Sequence, residues 1–167
     1  VIRPDPWNPA PKDFEQMQYL IDVGIKAFKK TKSNYIKLRY AYQLIRMAHY
    51  MNDYQQTLEL YGYLLPKTDK TESILNFWIE GHRAGALKKS GKEVEAAYLY
   101  SKIFQFAPSK RESAFRSFQI ETDEEWEACL LMCQTDRERA MLYALRANAD
   151  HSKAAYEMEQ IYQLDPT

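Results

Sequence analysis

The chain has 167 residues, 46% of them hydrophobic and 28% charged, with 23 Lys and Arg balanced by 23 Asp and Glu. That length fits one domain or a short array, and that apolar content excludes an intrinsically disordered chain. Zero net charge weighs against a general nucleic-acid binder, which is usually basic, and no stretch approaches the ~20 apolar residues of a membrane span.

Val1 to Pro11 hold four prolines and no apolar run, so this segment is read as a linker and not as a signal peptide. The chain lacks an initiator methionine and is expected to be a piece of a longer protein, soluble in the cytoplasm or periplasm. No proline falls between Lys12 and Leu65, between Lys67 and Ala107, or between Ser109 and Asp165, which leaves long stretches free for helix. No strand-like alternation persists.

Phe14, Met17, Ile21, Ile25 and Phe28 recur at helical spacing and predict a first helix from Lys12 to Lys30. A second is expected from Asn34 to Met51, with Ile36, Tyr40, Leu44, Met47 and Ala48 along one side. Asn52-Asp53 breaks it, and Asp53 can cap the next helix with Gln56 as reciprocal partner. That helix should end near Pro66. A further hairpin is expected from Thr71, turning at Ser90-Gly91, where Gly91 suits the left-handed residue that ends a helix. Its return helix carries Val94, Ala97, Tyr98, Ile103 and Phe104 and stops before Pro108. Residues 109–134 are expected to fold as a short helical pair, Lys110 to Phe118 and Asp123 to Cys133. Thr122 with Glu125, and Thr135 with Glu138, form capping boxes. The last hairpin is read as Asp136 to Asn148 and His151 to Leu164.

A register repeats through these elements. Gly91, Ala96, Tyr100 and Pro108 are matched in spacing by Ala149, Ala154, Met158 and Pro166, and in part by Asn52, Thr57 and Tyr61. Self-similarity of this kind marks stacked helical hairpins. These residues, with Ala84, Leu87, Ile45, Ala48, Leu142, Leu145 and Ile161, resemble the tetratricopeptide repeat. Thr57 replaces the family's small residue, and its usual tryptophan, leucine and glycine in the first helix are mostly missing. The resemblance implies an all-α superhelix of antiparallel hairpins over residues 12–167, with units at 34–66, 71–108 and 135–167.

In that family the first helix of each hairpin lines a concave surface. The resemblance therefore implies a partner-binding groove of Arg39, Tyr42, Arg46 and His49, then Trp78, His82 and Lys88, then Arg139, Tyr143 and Arg146. Gly81 and Gly85, four apart, would let something approach one helix face closely. The lysine–asparagine clamp of the chaperone-tail-binding members is missing; Tyr42 and Arg46 stand where it would begin.

Other chemistry finds little support. The run from Gly85 to Glu93 is one residue too long for a phosphate loop, and Glu93 stands where Ser or Thr is needed. His49, His82 and His151 lie in different hairpins without metal-ligand spacing. Cys129 and Cys133, four apart on a helix, suit neither a disulfide nor zinc and read as buried small hydrophobes. The acidic run from Glu121 to Glu127 reads as a helix start. Tyr40, Tyr54, Tyr61, Tyr98, Tyr100 and Tyr162 are expected to pack hairpin on hairpin, while Tyr35, Tyr42, Tyr50 and Tyr63 are freer to face outward. No catalytic residue, metal or cofactor is expected. The first expectation is a non-catalytic scaffolding module for a protein or peptide, an acidic one suiting the arginines. The alternative is a carbohydrate-binding helical protein using exposed aromatics. Charge is weakly polar along the chain: residues 1–70 carry 11 Lys and Arg against 7 Asp and Glu, and the remainder 12 against 16.

Overall fold

A helix can start where a short polar side chain satisfies backbone N–H groups that have no intrahelical partner. In the computed structural model, which describes residues 12–69 and 73–164, Asp13 accepts from the Gln16 N–H at 2.9 Å and opens α1 (Phe14–Lys30). Asp53 does the same for Gln56 at 2.8 Å and opens α3 (Tyr54–Leu64). The reciprocal half of that expected box is not made. The Gln56 amide donates instead to Gln18 of α1 at 3.0 Å. Between them runs α2 (Asn34–Tyr50).

These three helices form the first of two compact units, residues 1–69. In it α2 packs between α1 and α3. Ile21, Gly24 and Phe28 of α1 and Leu38, Ala41, Leu44, Ile45 and Ala48 of α2 make its core. The inner face of α2 is rotated from the expected one. Ile36 is 41% exposed because Leu38, Ala41 and Ile45 take the inside, and Phe14 likewise lies outside.

The second unit, residues 70–167, begins among the described residues with α4 (Ile74–Lys89) and α5 (Glu93–Phe106), an antiparallel hairpin. Gly91 has φ +75°, as its place in the turn requires, and Asn52 holds φ 61° at the corresponding turn of the first unit. The closing bonds match: the Lys92 N–H reaches Leu87 O, and the Asp53 N–H reaches Ala48 O, each five residues back. This is the six-to-one closure that a left-handed residue permits.

Residues 109–134 contain α6 (Arg111–Ser117) and α7 (Asp123–Met132). Thr122 and Glu125 make a complete capping box at the start of α7. Both elements pack on α5, as does α8 (Asp136–Ala149). The result is a core of Ala97, Tyr98, Trp126, Cys129, Cys133 and Leu142. Both cysteines are free and buried. Burial pushes the Cys129 thiol up to about 12, helped by Cys133, and pushes Cys133 up to about 11, helped by the Glu138 charge.

The last return helix, α9 (Ala154–Leu164), corrects the expected register. Ala149 is not a turn residue but the last residue of α8. The chain turns through 150–153, where the Ser152 N–H and hydroxyl both donate to the Asp150 carboxylate. This longer turn shifts α9. Counted from its first residue, the position matching Thr57 in α3 and Ala96 in α5 is Glu157, not Ala154. All three are at most 1% exposed. Tyr162, expected to pack hairpin on hairpin, is 69% exposed, and Met158, matched in spacing to Tyr100, is 65% exposed. Pro166 and the linker at 1–11 lie outside the described residues. Among the described residues the fold is all-α, with no strand, and no helix is long and apolar enough to cross a membrane.

Candidate interaction surface

In the first unit, α2 has a helix face on which residues recur three or four apart: Tyr35, Arg39, Tyr42, Arg46 and Tyr50. The helix holds no Asp or Glu, so nothing along it can neutralise Lys37, Arg39 or Arg46. The arginines lie on aromatic rings. The Arg39 guanidinium sits 3.3 Å from the Tyr35 ring centroid, and that of Arg46 sits 5.1 Å from the Tyr50 ring. Arg39 also donates to Tyr35 O at 3.2 Å, and Arg46 to the Gln43 amide oxygen at 3.5 Å. Tyr35 and Tyr50 are 64% and 45% exposed. His49 is half-buried, with its ring 5.6 Å from Tyr54 and 6.1 Å from Tyr50 in edge-on contact. Tyr42 is half-buried on the same helix.

The groove residues inferred for the second unit are engaged inside it. Lys110, at the start of the inserted pair, places its ammonium 5.3 Å from the Trp78 ring. Lys88 donates to Ser117 O at 3.0 Å, at the end of α6. The inserted segment therefore meets the α4 face expected to be a groove. His82 is half-buried there. On α8, Arg139 pairs with Asp136, and Tyr143 stands edge-on to Trp126 at 5.5 Å. Arg146 lies 3.5 Å over the Trp126 ring and ion-pairs with Glu157. Gly81 is not a site of close approach: a Cβ there would meet only the Ile103 side chain, at 4.0 Å. Gly24, in α1, is. A Cβ there would stand 2.5 Å from Leu44 Cδ2.

The second unit also has a groove of about 350 Å³ that the repeat register does not announce. Phe77, Leu99, Ile103 and Met132 give it an apolar floor, and Arg83 and Lys102 stand on its wall. Both cations are committed, Arg83 to Glu80 at 3.2 Å and Lys102 to Glu138 at 3.3 Å. Glu138 also accepts from Tyr98 at 3.0 Å and from the Gln134 N–H at 2.8 Å. Burial alone would raise its pKa, but those bonds and the Lys102 charge hold it below the ordinary carboxylate value. Burial and the same bond push the Tyr98 hydroxyl upward. Met132 and Gln134 come from the end of the inserted pair, so no signal within α4 or α5 could have disclosed the groove.

Among the described residues no group of three His, Cys, Asp or Glu is placed to hold a metal ion. The run from Gly85 to Glu93 forms the end of α4, its turn and the first residue of α5, with no strand before it. No family model, curated protein or solved structure matches this chain.

Proposed function

We propose that this chain is a non-catalytic protein-interaction module built on tetratricopeptide-like hairpins, and that the exposed face of α2 receives an acidic polypeptide segment. One contrast carries the reading. Among the described residues Arg83, Arg116, Arg139 and Arg146 each ion-pair with a carboxylate; Arg39, Arg46, Arg111 and Arg137 have none within 4.0 Å, and of these Arg39 and Arg46 share one helix and lie on tyrosine rings. Stacking orders a guanidinium while leaving in-plane donors for a carboxylate, which it can grip bidentately. The flanking tyrosines add rigid apolar contact at small entropy cost. The matched turns at Asn52 and Gly91 support the hairpin reading. Cations over ring faces also favour a peptide over a sugar. Lys67 stands 3.0 Å from the Tyr63 centroid as Arg39 does over Tyr35, taking faces on which a sugar would stack.

The test is a titration of a labelled Glu- and Asp-rich peptide into the 167-residue chain, read by anisotropy and by amide shifts. Binding should weaken with salt. Arg39→Glu with Arg46→Glu should weaken it by roughly tenfold or more, the equivalent of about 1.4 kcal/mol, with the melting temperature nearly unchanged. Equal affinity for the double variant, or shifts confined to helices other than α2, would overturn this reading.

A further inference from the structure

We infer that the groove of the second unit binds a compact organic amine, an aromatic or branched apolar body with one ammonium, and that the Glu95 carboxylate is its counter-charge. The groove lies wholly within that unit and is separate from the α2 face. Its walls come from α4, from α5 and from the stretch between Met132 and Gln134. Its volume of about 350 Å³ falls at the lower end of the range of small-molecule clefts, ~300–1,000 Å³.

Charge selects the ligand. Both cations of the wall are neutralised from within the unit, Arg83 by Glu80 and Lys102 by Glu138. Glu95 is left over. It lines the groove half-buried, and among the described residues its carboxylate has no ion pair and accepts no hydrogen bond. The α5 dipole favours an acid in the first turn, but Glu93 stands in that turn too, at an exposed position. The groove therefore sets one surplus negative charge beside an apolar floor, which is the complement of an amine. An anionic ligand fits it poorly. To grip one, Lys102 must leave Glu138, which is only 8% exposed, and a buried carboxylate that loses its cation is costly.

The apolar half of the ligand follows from the floor. Leu99, Ile103 and Met132 offer aliphatic surface, and Phe77 adds a ring that is itself stacked on Phe106 at 6.4 Å. Phe77, Leu99 and Met132 are half-buried, so they keep apolar area for a ligand to cover. A phenyl group there gains ring contact with Phe77, and the unbranched Met132 side chain can adjust to its shape.

Phenethylamine, phenethyl alcohol and phenylacetate share a body and differ in the charge they bring, so they serve as probes. Titrated into the 167-residue chain to about 10 mM, phenethylamine should bind with a dissociation constant of about 1 mM, the weak range of a compact ligand. The methyl signals of Leu99, Ile103 and Met132 should move with it. It should bind about tenfold more tightly than phenylacetate, the scale of one ion pair near a protein surface. Glu95→Gln keeps the shape of the site; it should abolish the preference for the amine and leave the affinity for the alcohol unchanged. Equal affinities for the three probes, a preference that survives Glu95→Gln, shifts confined to residues outside the groove, or no binding by any probe would overturn the inference. A capped peptide presenting Phe beside Lys that binds more tightly than phenethylamine would give the groove to a polypeptide and overturn it as well. So would the same shifts appearing when the chain alone is concentrated, which would give the groove to a second copy.

Discussion

Arg146 Nε lies 2.6 Å from Glu157 Oε1, and Glu157 is completely buried at the place where the other return helices put Thr57 and Ala96. A carboxylate taken out of water needs a paired charge and hydrogen bonds. Arg146 supplies both while covering the Trp126 ring, and Glu157 Oε2 has no hydrogen-bond partner. Arg146→Ala leaves the buried charge uncompensated and should cost about 3–5 kcal/mol in urea denaturation. Replacing the pair together by Met and Leu should cost far less, because an apolar pair removes both desolvation penalties. A single variant as stable as wild type would show that the pair does not hold the last hairpin.

Ala96 is 1% exposed at the crossing of α4 and α5. Ala96→Leu adds three carbons where no space exists, and overpacking should cost about 1–3 kcal/mol. An unchanged thermal midpoint would remove Ala96 from the crossing.

Gly24 of α1 packs directly against the Leu44 side chain of α2. Gly24→Ala gains about 1 kcal/mol of helix propensity but drives a methyl into Leu44 Cδ2, and Leu44 is only 1% exposed and has nowhere to retreat. Overpacking of about 1–3 kcal/mol outweighs the gain, so the variant should be less stable. A more stable variant would mean that α1 slides on α2 at little cost.

Glu138 ties Tyr98, Lys102 and the Gln134 backbone together. Its folded pKa is depressed, so its contribution is present above the unfolded carboxylate value of about 4.3. That contribution is lost as pH falls through the lower folded value. Between neutral pH and about pH 3, wild type should therefore lose more stability than Glu138→Gln, whose bonds do not titrate. Parallel pH profiles for the two proteins would rule out this linkage.

Cys129 and Cys133 hold their protons well above the ordinary thiol range because they are buried. The thiolate is the reactive form. At about pH 8, just below the ordinary thiol pKa, a thiol reagent should modify both only as fast as the chain unfolds. Immediate labelling of either would place it at the surface.

What the sequence determined by itself is local. Proline placement confined helices to the stretches they occupy, Asp53 and Thr122 marked where α3 and α7 begin, and Gly91 marked the left-handed turn. Each signal acts through backbone bonds within about four residues, so it survives without knowledge of what lies across the fold. What only the tertiary structure decided is which faces are covered. One longer turn at 150–153 put Glu157 instead of Ala154 at the crossing and drew Arg146 out of the expected groove. The inserted pair engaged Lys88 and Trp78 and built a second groove between distant segments. Arg39 stayed exposed and Arg46 half-buried, both on tyrosine rings, because α2 offers them tyrosines and no acid. Helical spacing gives every such residue a stripe; which neighbour meets that stripe is fixed by contacts between residues far apart in the chain, and no local pattern encodes them.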